Sequence, residues 1–321
     1  MIRQFNFALV IALMVAIACI SLLGYAGEYL DVAELVSHFR FLYFLATLLL
    51  VVPVAFLRKR NIIVAWILLL VLTILPMMPL MIQVDHSFTA PNTPHIKILQ
   101  MNLWGGRNTN TDAVLENVRK FDPDILVFSE ITGKWEKIFD TALSDYSFRV
   151  VETKFGGIAV YSKHPLLAAK VFYYGQVKRP RIETVVHLKS NELFLIAAHP
   201  VIPKYMSVRN GEMDEIAKVA AKSSRPVVLA GDLNCSPWSY YFARLQRDSN
   251  LVDTEPGFGL QCSWPTAILE KRLQTPTFIP IDHFLVSDSF NVINRALGTK
   301  DGSDHLPVFI DLTLREDALK E

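Results

Sequence analysis

Long stretches near the start of the chain carry no charge at all. Residues 5–27, 41–57 and 61–84 are almost wholly apolar. At a helical rise of about 1.5 Å per residue, each reaches, or nearly reaches, across a hydrocarbon core of about 30 Å. The pattern predicts three transmembrane helices. The middle run is the shortest, with Ser37, His38 and Arg40 placed to sit at its interface. A cleaved signal peptide is the alternative for the first run. Two further spans follow it directly, however, and no small-residue cleavage pattern lies near Tyr25. Pro53, Pro76 and Pro79 fall inside spans, where a membrane tolerates kinks better than water does.

A polar, proline-containing linker at residues 85–95 ends this pattern. Beyond it, short hydrophobic runs alternate with amphipathic segments. The runs predict strands over residues 96–104, 124–130, 157–162, 183–189, 193–199, 226–232, 282–287 and 307–314. The amphipathic segments predict helices over residues 111–121, 133–143, 207–222 and 239–248, with Thr111 or Asp112 capping the first. The chain thus divides into an anchor (1–84), a linker (85–95) and a mixed α/β domain (96–321). It shows no internal repeat.

Charge adds an orientation. Arg3 precedes the first span, and Arg58, Lys59 and Arg60 separate the second from the third. The segment between the first two spans holds Glu28, Asp31 and Glu34 and no Lys or Arg until Arg40. Basic loops stay in the cytoplasm, so three crossings place the α/β domain on the extracytoplasmic side of a cell membrane. The whole chain has 32 Lys and Arg against 31 Asp and Glu, and the part after the linker stays close to neutral. That counts against a dedicated nucleic-acid binder, which shows a basic excess. Cys235 and Cys262 could pair in an oxidising compartment or stay separate, and no zinc-type Cys/His spacing occurs.

Candidate chemistry lies at the strand ends. The runs present, in order, Asn102, Glu130, His199, and Asp232 with Asn234; two more begin with Asp282–His283 and Ser303–Asp304–His305. One such residue is an ordinary cap or turn. Six such features in one domain imply convergence, because carboxylates and imidazoles seldom end core strands otherwise. Carboxylate and amide oxygens suit a hard cation, Mg²⁺ or Mn²⁺. Histidines with carboxylate partners suit general acid work and charge stabilisation. Metal-assisted attack of water on a phosphoester or phosphoanhydride is the economical interpretation.

The motifs MNLW, PDILVFSE, GIAVYSKHPL, AAHP, GDLNCSPWS, IDHFLVS and SDHLPV fall in this order. Together they resemble the endonuclease/exonuclease/phosphatase superfamily, over residues 96–314. The resemblance implies a four-layer α/β sandwich of two packed, mostly antiparallel sheets. It implies Glu130 as principal metal ligand, with Asn102 beside it and Asp304 helping to bind metal. Asp232 would position or deprotonate the attacking water. Asn234 would donate to a phosphate oxygen. His305 would stabilise the phosphoryl group, Asp282 would orient His305, and His199 would be general acid or phosphate contact. Arg181, with Arg179, is a candidate phosphate clamp, and Trp264 a candidate substrate contact. His283 is expected to be structural.

Three spans joined to such a domain resemble a bacterial group linked to glycopeptide resistance. That resemblance implies a polyprenyl pyrophosphate or similar lipid-linked phosphate as substrate, with the bilayer itself as partner. No protein partner is expected. An extracytoplasmic nuclease is the alternative.

Overall fold

In the computed structural model, the described residues are 2–82, 94–189, 191–268 and 273–315. Most of the predicted linker, residues 85–93, lies outside them. The anchor holds α1 (Ile2–Leu23), α2 (Asp31–Ser37), α3 (Arg40–Leu49), α4 (Val51–Leu57), α5 (Arg60–Ile74) and α6 (Met78–Met81). These assemble into three helices long and apolar enough to span a membrane: Phe7–Ala26, Arg40–Leu57 and Arg60–Met81. Val10, Met14, Val54 and Leu69 pack between them.

The α/β domain follows as β1 (His95–Asn102), α7 (Thr111–Phe121), β2 (Ile125–Ser129), α8 (Gly133–Ala142), β3 (Phe148–Glu152), β4 (Ile158–Ser162), β5 (Leu166–Tyr174), β6 (Arg179–His187), β7 (Glu192–Ala198), α9 (Met206–Ala221), β8 (Val227–Asp232), α10 (Tyr240–Ser249), β9 (Val252–Asp253), β10 (Ala267–Ile268), β11 (Leu273–Gln274), β12 (Asp282–Val286), β13 (Phe290–Leu297) and β14 (Val308–Leu314). Two six-stranded sheets form, in the orders β13-β14-β1-β2-β4-β3 and β5-β6-β7-β8-β12-β9. Each has one parallel pair, β1 with β2 and β7 with β8; the other pairings are antiparallel.

Strand alternation builds the layers. Ile98, Val127 and Val160 of the first sheet meet Ile182, Leu195, Val228 and Phe284 of the second in the central core. On the outer faces, Leu99, Met101 and Phe128 pack beneath Val114 of α7 and Trp135 and Phe139 of α8. Ile196, Leu229 and Leu285 pack beneath Ile216 of α9 and Phe242 of α10. The result is the four-layer α/β sandwich that the family resemblance implied.

Side-chain caps start two of the domain's helices, with one correction. The cap of α7 is Asn110, one residue before the two predicted, and its side chain accepts from the Ala113 N–H at 3.4 Å. Ser239 caps α10 by accepting from the N–H groups of Tyr241 and Phe242.

Candidate active site

The same alternation aims the polar strand ends inward. In β1, Ile96 and Ile98 face the central core, so Gln100 and Asn102 continue that face. In β8, Val228 and Ala230 lead to Asp232; in β7, Leu195 and Ala197 lead to His199 just past the strand; in β12, Phe284 and Val286 share a face with Asp282. Register then gathers these residues at one end of the sandwich. Asn102 lies level with Ser129, next to Glu130, and Asp282 pairs directly with Asp232.

Two glycines permit the close approach. A Cβ on Gly231 would stand 1.8 Å from the Ala198 carbonyl oxygen, and one on Gly157 would stand 1.9 Å from that of Ile131. Glu130 leaves the strand with φ of 56°, and Asn234 turns the chain with φ of 49°. Both are left-handed conformations that the surrounding packing must hold in place.

Asp232 is the hub. Its Oδ2 accepts from Asn102 Nδ2 at 3.0 Å and lies 3.3 Å from His199 Nε2 and 3.7 Å from His305 Nε2. Its Oδ1 accepts from the Asn234 backbone N–H at 2.9 Å. Burial alone would raise its pKa, but His305, His199 and that N–H outweigh burial and hold the carboxyl well below the usual range.

His305 is oriented from behind. Its Nδ1 donates to Asp282 Oδ2 at 2.8 Å. Asp282 is fully buried, accepting also from Gln100 Nε2 at 3.0 Å and from the Ser263 hydroxyl. Burial would lower His305, yet the Asp282 and Asp232 carboxylates raise it to about 10. The ring is therefore a cation at neutral pH, with Nε2 directed towards Asp232 and, at 3.9 Å, Asp304.

Among the described residues, Asp232, Asp282 and His305 bring ligand-type atoms within 4.8 Å of one another. Asp282 already accepts from three donors, which suits an orienting carboxylate better than a metal ligand. Of the set expected from the sequence, Glu130 and Asp304 offer carboxylate oxygens that suit a hard cation. Asn102 instead directs its Nδ2 at the carboxylates, and its Oδ1 accepts from the Trp104 N–H at 2.9 Å, so it orients rather than ligates. The Glu130 side chain is about a third open at 32% exposure, its Oε1 lies 3.5 Å from Asn102 Nδ2, and Asp304 Oδ1 is buried with no hydrogen-bond partner. Burial raises the Asp304 pKa. Bound there, a divalent cation would supply Lewis acidity and charge neutralisation to a phosphoryl group.

These groups line a cleft of about 400 Å³ that includes Glu130, His199, Asp232, Asn234, Asp304 and His305. A larger hollow of about 590 Å³ near Ser223 and Asn250 involves none of them. Asn234 Nδ2 donates to the Pro200 carbonyl at 3.0 Å, leaving its second N–H for another acceptor. Trp264 also lines the cleft and donates from Nε1 to Asp304 at 3.1 Å.

Arg181 does not line the cleft. It lies on β6, buried, with its guanidinium 2.7 Å from Glu183. Arg179 donates to the Phe155 carbonyl. The predicted clamp of these two residues is therefore absent from the cleft lining. His283 faces away from the cleft, bonded to the Cys235 carbonyl at 2.7 Å. Cys235 and Cys262 are separate buried thiols.

Sequence reasoning missed Gln100 and Ser263, which fix Asp282. Gln100 carries a signal, since it shares the inward face of β1 with Asn102. It also missed the anchor's part in the site. Helix α2 docks behind the Asp232–Asn234 loop through Glu34, which is fully buried. Arg209 of α9 donates to Glu34 at 2.7 Å and to the Asn234 carbonyl at 3.1 Å. Glu34 also accepts from the Ser239 hydroxyl and from the Tyr240 N–H, at the N-terminus of α10, where a carboxylate is favoured. Burial, and secondarily Arg209, lowers His38 to about 3. Its neutral ring accepts the Ser236 N–H at 3.2 Å.

Converging carboxylates, amides and imidazoles at one end of a two-sheet sandwich define a phosphoester-hydrolase type of centre. Residues 99–305 match the model of the endonuclease/exonuclease/phosphatase family, and the chain belongs to that family. Its members are metal-dependent hydrolases acting on phosphoester bonds. Solved structures share the fold at low identity. D. rerio TDP2 complexed with single-strand DNA product aligns at a TM-score of 0.58 and 14% identity, over 68% of this chain and 99% of that one. The human Nocturnin catalytic domain with bound sulfate aligns at 0.54 and 15%, over 70% and 97%. Sphingomyelinase C from Streptomyces griseocarneus aligns at 0.53 and 17%, over 68% and 99%. Comparison with curated proteins gave no match.

Proposed function

We propose that this chain is a membrane-anchored, Mg²⁺-dependent phosphohydrolase acting on a lipid-linked phosphate, such as a polyprenyl pyrophosphate, at the extracytoplasmic face of a cell membrane. One observation carries the substrate assignment. The cleft that holds the catalytic constellation is lined in part by Leu35, His38 and Phe39, from the short connection between the first two spans. A phosphate in this cleft would lie beside the membrane anchor, which favours substrates held in the bilayer. The fold alone names no substrate: among structures like this one are TDP2 with a DNA product and a sphingomyelinase.

In this proposal Glu130 and Asp304 would hold the cation, and Asn102 orients the Glu130 and Asp232 carboxylates beside it. Asp232, kept ionised, orients and deprotonates the attacking water. Cationic His305 and the Asn234 amide stabilise charge on the phosphoryl oxygens, and Asp282 holds His305. His199 protonates the leaving group or contacts phosphate.

The test uses the full chain in detergent. It should release phosphate from a polyprenyl pyrophosphate with Mg²⁺ and stop with EDTA. His305→Ala and Glu130→Ala should each lose most turnover while remaining folded. Efficient nicking of supercoiled plasmid, with lipid pyrophosphates untouched, would refute the proposal in favour of a nuclease.

A further inference from the structure

The cleft has two faces of different character. One is the polar constellation just described. The other is apolar and shared between the anchor and the α/β domain. Its residues are Leu35 and Phe39 of the α2 region, joined by Ile202 and Pro203 from the segment before α9 and by Ile279 and Ile281 before β12.

Helical geometry explains why Leu35 and Phe39 face the cleft. Glu34 and His38 lie four residues apart, hence on one stripe. Both are held by the catalytic domain: Glu34 by Arg209, Ser239 and Tyr240, His38 by Ser236. That clamp fixes the rotation of α2 about its axis. Leu35 lies on the neighbouring stripe, one residue on, and Phe39 follows at the junction of α2 and α3. While Glu34, Ser37 and His38 are buried, Leu35 remains 44% exposed and Ile202 47% exposed. Both thus present open apolar surface to the polar cleft. Phe39 also directly precedes Arg40, where the second span begins. The apolar wall therefore runs from the phosphate-facing groups to the start of a membrane helix.

We propose that Leu35, Phe39 and Ile202 form a subsite for the first carbons of the hydrocarbon chain borne by the phosphate, so that the membrane anchor itself selects the substrate. The inference rests on the lipid-phosphate function proposed above. The substrate enters with its phosphate at Glu130 and His305. Its chain leaves over Leu35 and Phe39 towards the spans, without crossing open water. The anchor thereby becomes a specificity-determining part of the active site as well as a tether.

The experiment compares kcat/KM of the full chain in one detergent for prenyl pyrophosphates of one, three and eleven isoprene units. The wild type should prefer longer chains. In Leu35→Gln/Phe39→Gln the ratio of long-chain to one-unit kcat/KM should fall about 10- to 100-fold, chiefly through KM, as loss of two apolar contacts dictates. Leu35→Met and Phe39→Leu should preserve the ratio. Glutamine keeps the helix favourable, and the one-unit substrate reports folding within the same assay. A ratio unchanged within twofold, or equal losses at every chain length, would overturn the subsite while leaving the lipid-phosphate function standing. A wild type that turns over none of these substrates would fail at the earlier step and take the subsite with it.

Discussion

Replacing Glu34 with Ala in the full chain would strip the carboxylate that joins the anchor to the catalytic domain. Glu34 and Arg209 both have side chains at 0% exposure. Without Glu34, the Arg209 guanidinium stays buried with only neutral acceptors, the Asn210 Oδ1 at 2.8 Å and the Asn234 carbonyl at 3.1 Å. Removing one partner of a buried ion pair costs about 3–5 kcal/mol. The Tyr240 N–H and the Ser239 hydroxyl at the start of α10 lose their acceptor as well. At roughly 2–4 °C per kcal/mol for a chain of this size, thermal unfolding in detergent should fall by roughly 6–20 °C. Turnover should fall too, because Arg209 holds the Asn234 carbonyl just beyond Asp232. Glu34→Gln, which keeps an acceptor oxygen, should lose less. Arg209→Met in the Glu34→Ala background should recover part of the loss, since it removes the stranded charge. Unfolding within about 2 °C of wild type, with unchanged kcat, would refute the clamp.

Other consequences follow from single positions. Gly231→Ala places a Cβ 1.8 Å from the Ala198 oxygen and should abolish folded protein, measured by yield of the full chain in detergent after size exclusion; normal yield would contradict the close strand approach. Glu212 is buried with neither carboxylate oxygen partnered, and burial raises it from 4.5 to about 7. The folded state thus holds that proton more tightly than the unfolded chain. Its stability is full below pH 4.5 and declines towards pH 7, by about 3 kcal/mol in total. Glu212→Gln should therefore melt higher than wild type at pH 8 and about equally at pH 4; an equal gain at both would exclude titration as the cause. For topology, a C-terminal reporter active only outside the cytoplasm should give signal, and signal from a cytoplasm-only reporter would reverse the proposed orientation.

The elements that hydrophobic pattern alone could locate are those buried on both sides or strongly periodic. The predicted strand over residues 226–232 is observed as Val227–Asp232, and the predicted helix over 111–121 as Thr111–Phe121. The strands that escaped notice were β3, β5, β13 and three two-residue strands, β9, β10 and β11. Of these, β3, β13, β5 and β9 are the four edges of the two sheets. An edge strand has one neighbour and a partly solvated surface, so its side chains alternate less cleanly. In β5 no residue is fully buried, and its sequence carries little of the signal that marks β8.

The same division runs through the site. Asn102, Glu130, His199, Asp232, Asp282 and His305 were legible because a polar residue ending an apolar run departs from the pattern around it. Their convergence required two facts of register, β1 beside β2 in parallel and Asp282 opposite Asp232, which no local pattern encodes. Arg181 looked like a phosphate ligand in sequence, but Glu183, two residues along the same strand face, occupies its guanidinium. Glu34 entered the sequence analysis only as one of three acids between two spans, bearing on their orientation. Burial against Arg209 makes it part of the catalytic architecture. Sequence determined the local propensities, the apolar spans and the residue types that could perform phosphoryl chemistry, because each depends on near neighbours. Only the tertiary structure decided which of those residues share a cleft and that the anchor forms one of its walls, because such contacts join residues as far apart as Glu34 and Arg209.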